Sequence, residues 1–168
     1  MNIPNKDPEH IGYDIRCLNF KEIEERSTNI SLSHLKTIYD LYDFIYELIK
    51  DTDCIFTASC QEAETEPHYA QLDHMLLITI GTYLWEHASA ENLNLSGFID
   101  FLRKADERKN GSWEDVDHMV KEIANYDPSS AFVEQYIVFK LFDKQNRDRA
   151  VESCCKRLQY FMQKRKDS

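Results

Sequence analysis

With 168 residues, 42% of them hydrophobic, the chain suits one domain with a buried core. A formal net charge of −10 and a pI near 5.0 exclude a general nucleic-acid binder, because affinity for phosphate rests on clustered Lys and Arg. The charge is uneven: from residue 144 to the end eight Lys/Arg face three acids, a net of +5, which leaves −15 for residues 1–143. The ordinary reading of that division is a solvated helix face and a basic tail, and the functional one is a single basic contact surface.

The five cysteines, Cys17, Cys54, Cys60, Cys154 and Cys155, are odd in number and lack the spacing of a disulfide framework. That pattern fits a reducing cytoplasm. No apolar run approaches the roughly 18 residues of a membrane span, and residues 1–14 carry charges where a signal peptide is apolar. No membrane contact is expected of this segment.

Four glycines and four prolines punctuate long stretches of helical apolar spacing, which predicts an all-α fold, a compact bundle of about six helices. A short extended segment precedes it at 11–20, where Tyr13, Ile15, Cys17 and Phe20 are spaced as in a strand. The first helix is expected at about 32–50, capped by Ser31 or Ser33, with Leu35, Ile38, Tyr39, Tyr42, Ile45, Tyr46 and Ile49 inward. A polar break at 60–66 follows, and Pro67 opens a central helix through Leu72, Met75, Leu76, Thr79, Ile80, Tyr83 and Leu84.

A shorter helix over 94–103, capped by Ser96, turns Ile99 and Leu102 inward with Phe98 beside them. Asn110-Gly111 breaks the chain, and Ser112 with Asp115 three residues later opens a helix whose inner face is Val116, Met119, Val120 and Ile123. Asp127-Pro128 is the expected cap and first turn of the next helix, through Phe132, Val133, Tyr136, Phe139 and Lys140. The last runs over 147–163 with Val151, Cys154, Cys155, Leu158, Phe161 and Met162 inward, and 164–168 frays.

Motifs for chemistry are sparse. No closely spaced glycines with a Lys offer a phosphate loop, and the six histidines include no i, i+4 pair around a glutamate. His68 and His74, six apart, fall on different faces of a helix, and Cys54 and Cys60 are too widely spaced for a paired zinc ligand. Cys154 and Cys155 follow the core stripe and read as small hydrophobes. No catalytic residue, cofactor site or metal site is expected.

Two stretches carry a resemblance. Glu9-His10-Ile11-Gly12-Tyr13-Asp14-Ile15-Arg16-Cys17-Leu18-Asn19-Phe20 resembles the helix end, glycine and strand that follow the nucleotide-binding loop in conjugative type IV secretion coupling ATPases. Glu66-Pro67-His68-Tyr69 leading into Leu76-Leu77-Ile78 resembles the proline-aromatic start of that family's long apolar helix. Tyr136 and Phe139, then Ser153, Arg157 and Leu158, occupy the places of its aromatic and closing helices. The similarity spans about 9–163 and rests on order and spacing. It departs from the family at Tyr69, the nearest counterpart of an expected tryptophan, and between Ser27 and Ser33, where an Asn-Pro turn is missing.

The resemblance implies that 1–20 is a strand of the parent ATPase domain and 21–168 its all-α insertion, separated from the nucleotide-binding motifs. It implies a substrate-recognition domain without ATPase activity, facing the cytoplasm, that docks a relaxase or relaxosome accessory protein for conjugative DNA transfer. The piece would be a monomer alone and hexameric only through the absent ATPase. Lys156, Lys164, Arg165 and Lys166 are the candidate contacts to DNA phosphates or to the partner. Two alternatives stand beside it: a free-standing helical adaptor or regulator of a protein partner, and a helical enzyme using Cys54 or Cys60 with a histidine.

Overall fold

A computed structural model of the chain describes residues 31–57 and 68–166. Over these residues it is an all-α bundle of six helices: α1 Ile38–Thr52, α2 His68–His87, α3 Leu95–Ala105, α4 Trp113–Tyr126, α5 Ala131–Phe139 and α6 Lys144–Lys166. A single helical turn follows α1 at Cys54–Thr57, and 3-10 turns flank α3 at Ala90–Asn92 and Glu107–Lys109. The expected fold class and helix count hold. The extended segment at 11–20, the boundary at residue 20, the break at 60–66 and the proline start of α2 lie outside the described residues.

The first helix starts later than its apolar pattern suggests, at Ile38 instead of Leu32. Leu32 is held extended by its N–H on Leu93 O at 3.0 Å, and Ser31 and Asn94 form an isolated antiparallel bridge. Ser31 and Ser33 bond each other, and the cap is Thr37. Its Oγ1 accepts from Asp40 N–H at 3.2 Å while Asp40 accepts from Thr37 N–H at 2.8 Å, a reciprocal capping box.

The inner face of α1 is also rotated from the expected one. Leu41, Ile45, Leu48, Ile49 and Thr52 are buried, while Tyr39 and Tyr46 are 73% and 59% exposed. A helix rich in both Leu/Ile and Tyr admits two phases of apolar stripe. The aliphatic stripe wins, because a phenol keeps its hydroxyl in water at little cost and an isoleucine has no such group.

Helix α2 is the central strut, packed against α1, α3, α5 and α6. It buries Leu72, Leu76, Leu77, Ile80 and Leu84, and the inward Thr79 and Thr82 satisfy their hydroxyls on the carbonyls of Met75 and Ile78. Gly81 lets α1 come close: a Cβ there would stand 2.9 Å from Ile45 Cδ1.

Capping explains most remaining boundaries. Asn94, not Ser96, caps α3, its side chain accepting from Gly97 N–H at 3.0 Å. Asn110, at φ 63°, and Gly111 turn the chain as expected, and Ser112 caps α4 by accepting from Asp115 N–H at 3.2 Å. Asp127 ends α4 and does not begin α5, whose cap is Ser130. Asp143 accepts from Asn146 N–H at 2.8 Å, which starts α6 three residues before the expected Arg147, and the helix continues through Lys166. The inward faces of α3 to α6 otherwise follow the sequence pattern: Phe98, Ile99, Leu102, Val116, Val120, Ile123, Phe132, Val133, Tyr136, Phe139, Val151, Cys154, Leu158, Phe161 and Met162 are buried, while Met119 and Cys155 are half-buried and Lys140 is exposed.

Leu77 is fully buried in the middle of α2. Leu77→Ala is expected to lower unfolding free energy by about 2–5 kcal/mol, read as a drop in urea midpoint with an unchanged slope.

Candidate interaction surface

The basic run at the C-terminal end is largely consumed inside the molecule. Arg157, counted in the sequence among the charges of a contact face, is 2% exposed. Its Nε donates to Asp73 Oδ2 at 2.7 Å, and its Nη1 donates to Ile49 O, Thr52 Oγ1 and Asp53 Oδ1 at 3.1, 3.0 and 2.8 Å. The guanidinium lies 4.6 Å from the centre of the Phe56 ring. Ser153 also bonds Asp73, and burial pushes the Asp73 carboxyl above its usual range against the pull of Ser153 and Arg157. Lys144 bridges Glu107 and Asp148, and Arg147 lies over Trp113.

Three of the four candidate contacts, Lys156, Lys164 and Arg165, are spread around α6. Lys156 pairs with Glu152 one helical turn before it, at 3.0 Å. Lys164 and Arg165 are exposed, and Arg165 stacks on Phe161 with 4.9 Å to the ring centre. At about 100° per residue, Arg165 points away from the side of α6 that carries Lys156, with Lys164 about 80° from it. The Lys166 side chain lies outside the described residues.

The described thiols differ in their settings. Cys154 is buried with its thiol on Asp73 O, and burial pushes Cys155 up to about 12, so neither offers a thiolate near neutral pH. Cys54 is exposed and lies 3.5 Å from Tyr160 Oη, while Cys60 falls outside the described residues. Ser130, His87 and Glu86 stand together, which invites comparison with a catalytic triad. Ser130, however, is 2% exposed, donates to Glu86 Oε2 at 2.7 Å, and meets His87 Nε2 at 3.0 Å. Glu86 Oε2 also lies 3.3 Å from the same Nε2 that meets Ser130, so the carboxylate bonds the hydroxyl itself and reaches the imidazole on its serine side, unlike a triad acid, which holds the far ring nitrogen. Glu86 also accepts from the N–H groups of Ala131 and Phe132 at 3.1 and 3.2 Å, so the trio is an anionic cap on α5. Among the described residues no group of three or more His, Cys, Asp or Glu could hold a metal ion.

A surface the sequence did not single out lies between α4 and α5. Val120 and Ala124 of α4 face Val133, Ile137 and Leu141, over a floor formed by Tyr136, and together they line a groove of about 460 Å³. Ile137 and Leu141 are 58% and 81% exposed, and Val138 and Phe142 continue the apolar surface beside them. The outward residues of α5 are the signal that was available: past Glu134, AFVEQYIVF carries Ile137 and Val138 outside the face that the core needs.

Charges edge the groove at Asp117, Lys121 and Lys140. Lys140 pairs with Asp117, and Tyr136 Oη donates to the same carboxylate at 2.8 Å. Partial burial works to raise Asp117, but the bonds from Lys140 and Tyr136 outweigh it and hold the carboxyl below its usual range. Burial, then the bond to Asp117, raises Tyr136 above an ordinary phenol.

No family model matches the chain, and no curated protein and no solved structure matches it either. Among the described residues no helix is long and apolar enough to cross a membrane.

Removing Arg157 leaves Asp73 buried without its partner. Arg157→Ala is expected to cost about 3–5 kcal/mol, whereas Asp73→Leu with Arg157→Met, which removes both charges, should recover most of it in urea unfolding. Because a raised folded pKa contributes stability at low pH and loses it as pH rises through that value, the Arg157→Ala deficit should shrink toward pH 4.

The groove pair gives the opposite signs at its two ends. Asp117 is lowered, so its stability is present above about pH 4 and lost as pH falls through the folded value. Tyr136 is raised, so its stability is present below about pH 10 and lost as pH climbs beyond. Asp117→Asn should flatten the acid limb and Tyr136→Phe the alkaline limb of a plot of melting temperature against pH; unchanged limbs would refute the assignment.

Proposed function

We propose that the chain is a recognition module that binds a protein partner and performs no chemistry of its own. One observation carries the reading: the second half of α5 is apolar on its outer side as well as its inner one, yet that outer side, with Ile137, Val138 and the following Leu141, is uncovered. A helix of that character belongs in a core, and a clustered exposed apolar patch beside a groove is how interaction sites present themselves. Selection of a partner needs complementary surface and no catalytic group.

The sequence resemblance takes the reading further. On it, the chain is the all-α domain of a conjugative type IV secretion coupling protein, working on the cytoplasmic side of the membrane and docking a relaxase or relaxosome accessory protein. DNA contact through Lys156, Lys164, Arg165 and Lys166 would then be secondary to protein contact. The second reading, a free-standing helical adaptor or regulator, is supported by the same groove, since such a module needs a partner surface and no parent ATPase.

The full chain should be titrated against relaxase and accessory protein, with labelled transfer-origin DNA in parallel at several salt concentrations. Saturable protein binding, weakened at least about tenfold by Ile137→Asp with Leu141→Asp, is the expected result. Salt-sensitive DNA binding abolished by Lys164→Ala, Arg165→Ala and Lys166→Ala would move the reading to a DNA-engaging module. Silence toward all three ligands would leave the adaptor reading in place of the coupling-protein one.

A further inference from the structure

The exposed apolar residues and the hollow beside them lie on one face. Ile137 and Val138 stand out from α5, and Leu141 from the turn that follows it, at 58%, 50% and 81% exposure. Between α4 and α5 the short side chains of Val120, Ala124 and Val133 leave a hollow of about 460 Å³. A face that carries both a projection and a recess can pair with itself, because in a two-fold contact residue i of each copy meets residue j of the other. One surface then supplies both halves of the fit.

Charge points the same way. Lys121 lines the α4 side of the hollow, and Glu134 is exposed on α5 three residues before Ile137. Neither forms an ion pair among the described residues. Glu122, the residue after Lys121, points about 100° further round α4, and the other charges at the hollow, Asp117 and Lys140, are tied to each other. One unpaired charge of each sign, on the two helices that border the hollow, selects neither an acidic nor a basic partner. It matches a second copy, since across a two-fold axis Lys121 of each chain meets Glu134 of the other. The chain carries −10 overall, so copies repel wherever acidic surfaces meet, and pairing requires a face on which the signs alternate.

We infer that two copies of the chain pair through the α4–α5 face, as a reversible two-fold dimer in which the apolar projection of each packs on the hollow of the other. The inference goes beyond the recognition reading and departs from the sequence resemblance, which implies a monomer. Only a few side chains take part, whereas standard complexes bury about 800 Å² on each partner, so the dimer is weak and exchanges with the monomer. Pairing and capture of another protein then compete for one face.

Sedimentation velocity of the full chain over a roughly thousandfold range of concentration tests it. The expected result is a reversible shift from monomer to dimer with no larger species, because a two-fold contact closes on itself. Ile137→Asp with Leu141→Asp should hold the chain monomeric throughout, whereas Tyr39→Asp, on the exposed side of α1, should leave the dimer unchanged. Lys121→Glu and Glu134→Lys should each weaken the dimer about tenfold by setting like charges opposite each other, and the two together should restore it. All the substituted residues are exposed, so circular dichroism should show intact helix content in every variant.

A chain that is monomeric at every concentration overturns the inference. So do species that grow beyond the dimer, a dimer that survives Ile137→Asp with Leu141→Asp or is dissolved by Tyr39→Asp, and charge reversals that fail to recover in combination. If the chain stays monomeric while the Ile137→Asp, Leu141→Asp variant loses capture of a relaxase or accessory protein, the recognition reading stands and the second copy is not the occupant. If the dimer forms as expected and capture is insensitive to that change, the inference stands and recognition lies on another surface. Flotation of a monomeric chain with phosphatidylcholine vesicles, lost in Leu141→Asp, would make the occupant a bilayer surface and equally overturn the inference.

Discussion

Arg157 sets the geometry to which the rest of the bundle conforms. A guanidinium is a flat fork of five fixed donors that stays charged, so burying it obliges its surroundings to supply acceptors in its plane. Here they come from two helices and the end of one of them: Asp73 on α2, Ile49 O and Thr52 on the last turn of α1, and Asp53 just beyond. The cation thus bonds the Ile49 carbonyl, which the Thr52 hydroxyl also reaches, at the end of α1 where the helix dipole favours positive charge. The Phe56 ring beneath it adds a cation–π contact. A buried pair of this kind is weak evidence for stability, because desolvation offsets most of its attraction. Its effect is on registry: sliding α6 by one turn against α1 and α2 would strand a cation and a carboxylate in the core.

The same network explains why the basic run is not a basic surface. Charges four residues apart on α6 are drawn into local pairs, Lys144 with Asp148 and Lys156 with Glu152, while Arg157 turns inward. What remains outward toward the end of α6 includes Lys164 and Arg165, and Arg165 lays its guanidinium on Phe161. Helix ends elsewhere obey the complementary rule. The Glu86 carboxylate sits on the N-terminus of α5, where it answers free N–H groups and holds the buried Ser130 hydroxyl. Serine, histidine and glutamate in one cluster are in this fold the solution to a capping problem.

Much of the fold was legible because its elements repeat apolar residues with helical period. The cores of α3, α4, α5 and α6 follow from Phe98, Ile99, Leu102, Val116, Val120, Phe132, Phe139, Val151 and Leu158 alone. Boundaries were less legible where several small polar residues compete for a cap. Asn94 caps α3 although Ser96 is two residues on, and Ser130 caps α5 although Asp127-Pro128 has the composition of a start, because Glu86 on α2 completes the site at 130. That choice is made across the tertiary structure and leaves no local trace. The phase of α1 failed for a related reason: tyrosine counts as apolar in a periodicity argument, but Tyr39 and Tyr46 lie at the surface. The buried pair was hidden in the same way, since Asp73 and Arg157 look like surface charges until two helices bring them together.

The groove follows from how short α5 is. Nine residues make two and a half turns, and the core of a bundle claims one face of them, here Phe132, Val133, Tyr136 and Phe139. Solubility would be served by polar residues on the other face, and Glu134 begins that way at the first turn, while Gln135 turns to Tyr42 of α1. The next turns carry Ile137, Val138 and Leu141 instead, at a stretch where Tyr136 already spends its hydroxyl on Asp117 and Lys140 pairs with the same carboxylate. Asp117, Lys140 and Tyr136 are thus tied to one another, and the apolar surface beside them stays open. On the recognition reading, a rim held by internal bonds would cost little to organise on binding, so apolar burial against Ile137 and Leu141 would not be offset by ordering the walls.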